Sequence, residues 1–364
     1  MPTPSLMPLD RIPDWDRRLA RQDAFWDHAV LDRPMVSMSA PKKSGLVPWP
    51  APKAWPSLRD RWFDAGYCAE CAVARTLNTN FWGDALPCAW PNLGPEVISA
   101  FLGSELEYGE STAWSIPMPD DWDEVFARVR FDEANPYWQA VRTMTDALLE
   151  RGRGLYYVGI TDCHPGGDAI AAFRDPMQLN IDLLESPDEV KRLLRRTASL
   201  YLDLFERMWT YLQAHRQACC TWCGIVGSRK WYVPSNDFSC MISKEMFDEF
   251  FLPGIAEECR FYGRSVYHLD GPGALRHLPS LLSIPELNAI QWVPGEGHGP
   301  LTDWIPVYKQ CQAAGKGIQL FNIGLDELET VFSELRPEGV WLAVGGVEDE
   351  ETAQAVIRRV STWK

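Results

Sequence analysis

The sequence contains no run of about 18 apolar residues, the length a bilayer-spanning helix needs. Its first twenty residues are rich in Pro, Asp and Arg and hold no apolar h-region, so no secretory signal is expected and the cytoplasm is the expected compartment. Positive charge is scarce: 35 Lys and Arg stand against 50 Asp and Glu, a net charge of −15. Such a chain repels nucleic acid and anionic membrane surfaces, and no basic stripe offsets this. Internal repeats, low-complexity tracts and a dinucleotide-binding glycine fingerprint are also missing. Ten cysteines are too dilute for a disulfide scaffold. Cys68/Cys71 and Cys220/Cys223 have C-x-x-C spacing, but the two halves lie too far apart in the chain for a shared zinc module. Buried, inert thiols are expected there, with a ligand or redox role as the other reading.

What the chain does have is apolar mass and tryptophan. The hydrophobic fraction is 46%, ample for a large core, and there are 17 Trp. Several, including Trp82, Trp231 and Trp292, fall in or beside Pro/Gly-rich stretches, where rigid aromatic surface suits the wall of a ligand pocket. Length admits one large domain or two smaller ones. No break in composition divides the chain, so a single domain over 1–364 is expected, with 1–32 as an N-terminal helical extension.

Apolar spacing predicts strands near 33–39, 155–160, 218–226, 265–269, 287–293, 318–321 and 339–344. Helices are predicted near 14–27, 58–76, 96–102, 136–151, 167–173, 186–214, 243–262, 273–282, 301–314, 325–335 and 350–360. The clearest start signal is SPDE at 186–189, with Pro187 in the first turn and acids beside it. Residues 40–56 and 78–95 read as long loops, and 103–119 as a β-rich excursion. Strand–helix alternation from 155 onward implies a parallel sheet covered by helices. The expected fold is α/β: a single (β/α)8 TIM barrel with long strand–helix loops.

In such a barrel, chemistry gathers just after the strand ends. After 155–160 comes TDCHPGGD, which offers Asp162, His164 and Asp168 among flexible glycines. His164 is a candidate base or ligand, Asp162 a substrate contact, and Asp168 a helix cap or acid. After 218–226 come Arg229 and Lys230, two positive charges able to hold a carboxylate or phosphate, followed by Asp237, a candidate general base. After 265–267 come His268 and Asp270. Period-two alternation puts both on one face of a strand end, a pattern that suits zinc, another divalent metal or an oriented acid–base His. After 287–293 come Glu296 and His298 among glycines, with Glu296 a candidate substrate contact beside Trp292.

The strings NDFSCMISKEMFDEFFLPGI and VYHLDGPGALRHLPSLLSIPELNAIQW resemble the uroporphyrinogen-decarboxylase-like superfamily, which includes cobamide-dependent methyltransferases. GGDAIAAFRDPMQLNIDLLESPDEV resembles its segment between middle strands, and RPMVSM its first strand. The likeness runs from about residue 155 to the end. It implies a (β/α)8 barrel with a deep pocket at the C-terminal face. The Arg-rich motif of true porphyrinogen decarboxylases is replaced by SAPKKSGL, which with the net charge argues against an octa-anionic substrate. The zinc methyltransferase branch carries His-x-Cys and a later Cys. Here His268 is matched, Asp270 takes the place of the first Cys, and the later position falls near Gly345–Glu348 with no Cys. The resemblance therefore implies a zinc held by His268, Asp270 and a third ligand, Glu348 or Cys240. It further implies a small methylated compound as substrate, a corrinoid or corrinoid protein as partner, and compatibility with a homodimer. The catalytic candidates are Asp237, His164 and Arg229, and the substrate contacts Trp231, Trp292, Glu296, Trp82 and Asp162. Two alternatives stand beside methyl transfer. One is a decarboxylase or lyase acting on a smaller carboxylated substrate, gripped by Arg229 or Lys230. The other is a non-catalytic sensor barrel.

Overall fold

Alternating apolar strands and amphipathic helices produce a mixed α/β architecture, seen in a computed structural model that describes residues 5–364. The first four residues of the expected N-terminal extension lie outside the described residues. Twelve strands occur in chain order: β1 Val36–Pro41, β2 Thr79–Gly83, β3 Cys88–Ala89, β4 Glu105–Tyr108, β5 Ala113–Ile116, β6 Tyr157–Val158, β7 Cys219–Cys220, β8 Val226–Gly227, β9 Val266–Asp270, β10 Ala289–Val293, β11 Gly317–Ile323 and β12 Val340–Val344. Six of them form one sheet in the order β2-β1-β12-β11-β10-β9, parallel throughout except for the antiparallel β1–β2 edge. The pairs β3–β6, β4–β5 and β7–β8 make three further two-stranded sheets. A closed ring of eight strands is not among these pairings.

The parallel strands are short and apolar because helices cover them, so there is little water-facing surface to solvate polar side chains. The helix Pro187–Ala214 shows why the cover holds. Its 28 residues bury Val190, Leu193, Thr197, Tyr201, Leu204, Phe205, Trp209 and Leu212, a stripe at spacings of one to four residues that faces the core and the neighbouring helices. Pro187 occupies its first turn as predicted. One contiguous apolar cluster runs from Phe25 to Trp363 and includes the fully enclosed rings of Trp231, Trp292 and Trp341. The N-terminal helix Trp15–Trp26 is tied on by charge: Arg21 and Arg33 both bond the enclosed carboxylate of Asp84, which also accepts from the Val36 amide. No helix of the described residues is long and apolar enough to cross a membrane.

Several expectations need correction. Residues 78–95 are not one loop: β2 and β3 lie within them, because TNFWG alternates sides against β1. The predicted strand at 218–226 is a reversal. β7 and β8 pair antiparallel, Cys220 against Val226, around a turn that uses Gly224 at φ 80°. The predicted helix at 243–262 contains a π-helical stretch, Phe247–Phe251, ahead of Pro253. Helices at Trp122–Arg128 and Pro176–Glu185 were not predicted. The second is capped by Asp175, whose carboxylate accepts from the Met177 amide at 2.8 Å.

Candidate active site

Four segments bring polar side chains together. One is the loop after β6, with Asp162 and His164, together with the first turn of the helix Gly167–Arg174, which carries Asp168. A second is the segment 232–238, laid alongside β9 by parallel bridges Tyr232↔Ser265 and Ser235↔His268. The other two are the ends of β9 and β10. His164, Asp168 and Asp237 each present a ligand-capable atom within 4.8 Å of the others, and so do Asp237, His268 and Asp270. Asp237 belongs to both sets.

The first set is organised around His164. Its Nε2 lies 2.9 Å from Asp162 Oδ1 and its Nδ1 2.8 Å from Ser235 Oγ. Ser235 in turn donates to Asp168 Oδ2 at 3.2 Å, and Asp168 Oδ1 accepts from the Phe238 amide at 3.0 Å. Burial disfavours charge on this imidazole, but Asp162 and Asp168 outweigh it and hold its pKa well above the usual range. His164 thus lies between carboxylates that favour its protonated form, with one face stacked on Trp222 at 6.5 Å.

The second set is organised by a row of glutamines. His268 Nδ1 meets Gln291 Oε1. Gln291 Nε2 donates to Gln319 Oε1 at 2.9 Å, and Gln319 Nε2 donates to the Cys223 carbonyl at 2.8 Å. A carbonyl can only accept, so each amide in turn has a fixed orientation. The end of the row is an oxygen facing His268, which must carry its proton on Nδ1. In the neutral ring this leaves the lone pair on Nε2, the form that ligates a metal or takes a proton. Trp222 packs edge-on against His268 at 5.2 Å. Asp237 opens onto solvent within the cavity yet is ringed by protein. Burial, reinforced by the charge of Asp168, pushes its carboxyl up to about 6.

No protein-family model matches this chain, and no curated protein matches it. Among solved structures it is similar to a methyltransferase from Methanosarcina mazei, at 12% identity and a TM-score of 0.58, over 94% of this chain and 98% of that one. The chain shares the fold of that protein. At that identity the likeness is one of architecture alone.

Within this fold, the sequence-derived residues separate into two groups. His164, Asp162, Asp237, His268 and Asp270 converge. Arg229 does not. The β7–β8 reversal returns the chain to the end where the parallel strands begin, where Val226 bonds Gln22, Ser228 bonds Asp23, and Asp23 also pairs with Arg264 just before β9. Arg229 is exposed there, and Lys230 is spent on Glu206 at 3.0 Å and on the face of Phe261. Trp231 belongs to the same end: it is fully buried, donating Nε1–H to the Cys219 carbonyl and packing on Trp26. Trp292 is core, against Trp304, and Trp82 lies in β2 beside a separate cavity lined with arginines. Glu296 is an exposed loop acid. Glu348 pairs with Lys43 at 3.1 Å on the surface and joins neither ligand set, because β12 ends before its loop turns outward. Cys240 is exposed beside the acids, its thiol pushed up by burial and by Asp237, Asp168 and Asp270. The thiols of Cys219, Cys220 and Cys223 are enclosed and raised, which suits the inert reading.

Sequence reasoning missed Ser235, Gln291 and Gln319. A signal existed for the glutamines: each interrupts an apolar strand, AIQWV and GIQLF, at register positions aligned with each other, and Gln291 also aligns with His268.

Proposed function

We propose that the chain is a metal-assisted methyl-transfer enzyme whose divalent cation, zinc being the first choice, is held by His268, Asp270 and Asp237. The observation that carries this reading is His268, a ring nitrogen of which clusters within 4.8 Å of two carboxylates while its Nδ1 is held by the Gln291–Gln319 row. One imidazole and two carboxylates fit a divalent first-row ion without thiolate ligands. When bound, the ion would supply Lewis acidity, lowering the pKa of a hydroxyl, thiol or water. The protein's own part is to set Asp237 where it ligates the ion or, with no ion bound, exchanges a proton, and to keep His164 beside it. We further propose that the strands close into a (β/α)8 barrel in a single domain. Supporting this, the Ile160 amide bonds the Cys220 carbonyl at 2.9 Å, the Gly159 amide bonds that of Ala89 at 2.8 Å, and residues 232–235 bridge to β9. A small methylated compound would enter at the mouth, where a corrinoid or corrinoid protein would dock. The decarboxylase or lyase reading is favoured by the raised Asp237 carboxyl, which could serve as a proton donor.

Metal content tests the proposal. Purified untagged protein, supplemented with zinc, should carry about one ion per chain, and His268→Ala and Asp270→Ala should each lose it. A metal-free wild type after supplementation would refute the site and shift weight to the lyase or sensor reading.

A further inference from the structure

A cavity of about 470 Å³ opens on the His164 side of Asp237. Four carboxylates border it: Glu96, Asp168, Asp175 and Asp237. No Lys or Arg lines it. The nearest basic neighbour in sequence, Arg174, is turned away, bonded to Asp182 and to the carbonyls of Pro119 and Asp120. Backbone amides of Ser115, Phe238 and Met177 bond Glu96, Asp168 and Asp175, and His164 is the one side chain of the lining able to carry positive charge. The remaining surface is aromatic and apolar. Phe238 forms part of it, and Trp114, 55% exposed, presents its ring there. His268 and Asp270 do not border this cavity, so a divalent ion held between them and Asp237 would leave it open.

We infer that this cavity binds an organic cation, a methylated ammonium or sulfonium group, as the substrate of the site. A carboxylate or phosphate would meet net negative charge, which an organic cation offsets. A methylated onium group satisfies both features of the wall at once. Its charge faces the carboxylates, and its methyl groups rest on the aromatic faces, which attract cations without needing hydrogen bonds. The inference rests on the methyl-transfer reading for the word substrate; the binding itself requires no metal.

The test is titration calorimetry with choline, its uncharged isostere 3,3-dimethylbutan-1-ol, and acetate. Choline should bind, the isostere at least tenfold more weakly, and acetate not at all. Trp114→Ala should weaken choline binding about tenfold while Trp114→Phe keeps most of it. Because Trp114 is largely exposed, neither variant should disturb folding, and a thermal melt checks this. The same titration on His268→Ala separates the two ideas. Choline binding retained in a variant that holds no zinc supports this inference whatever becomes of the metal site. Equal binding of choline and its isostere overturns it, as does a wild type that takes up zinc but not choline.

Discussion

Replacing Gln319 with Leu tests whether a residue two side chains away governs His268. Gln319 is fully buried, accepts from Gln291 Nε2 at 2.9 Å and donates to the Cys223 carbonyl at 2.8 Å. Leu fills much of the same volume but answers neither group. Two buried polar groups then lose their partners, each at about 1–3 kcal/mol, offset in part by the added apolar burial, so a net loss of about 2–4 kcal/mol is expected in urea unfolding. The consequence for the site is more telling. Gln291 no longer has a fixed orientation, and its amide can turn to present N–H to His268. The imidazole would then accept on Nδ1 and carry its proton on Nε2, losing the lone pair that faces Asp237 and Asp270. Such supporting groups typically contribute 10–100-fold to metal affinity, or about 1.4–2.8 kcal/mol. Imidazole nitrogen NMR reads the tautomer directly, and competitive chelation reads zinc affinity. If Gln319→Leu keeps the Nδ1–H tautomer and binds zinc within twofold of wild type, the glutamine row does not orient His268 and the reasoning fails.

Three further outcomes follow from the same geometry. In chelator-treated protein, Asp237→Asn should be more stable than wild type above about pH 6 and no different below about pH 4. The folded carboxyl holds its proton up to about 6 against about 3.9 unfolded, so ionising it costs stability as pH rises. The full difference corresponds to about 3 kcal/mol, but cavity water screens it to about 1 kcal/mol or less, measurable as a pH-dependent gap between two melting curves. Gly167→Ala should cost about 1–3 kcal/mol in chemical unfolding and weaken zinc binding as well. The new methyl would sit 2.2 Å from Asn236 Oδ1, displacing the residue between Ser235 and Asp237. Glu348→Gln should leave metal content unchanged by elemental analysis, since its partner is Lys43 at the surface; loss of the ion would restore it as a ligand.

The repetitive part of the fold is what periodicity could reach. β9 to β12 and the helices between them follow one rule, an apolar strand buried on both sides and an amphipathic cover, and their apolar spacing states it plainly. The strands that are two residues long are less regular. Tyr157–Val158 and Cys219–Cys220 lie inside the predicted runs 155–160 and 218–226 but pair over only part of them, and Cys88–Ala89, which reads as loop, is held by Tyr157–Val158, distant in the chain. Helix Pro176–Glu185 was hidden for a different reason. Met177, Ile181 and Leu184 are exposed on it, so its apolar residues do not mark a buried face.

The same distinction explains which site residues were legible. His268 and Asp270 lie on a regular strand, so alternation alone assigns them to one face. Asp162 and His164 follow a strand end closely enough for the barrel rule to apply. Arg229 and Glu348 failed because that rule needs the direction of the preceding strand and the path of the loop after it. Two residues of antiparallel β8 are enough to send Arg229 to the opposite end. Asp237, by contrast, was chosen as a base and gains a larger part. It is the one carboxylate shared by both clusters, raised by burial and by Asp168 on one side while His268 waits on the other. A proton or a cation taken up at Asp237 is therefore felt by both, and the bridge Ser235↔His268 fixes the spacing between them through backbone rather than through a flexible side chain.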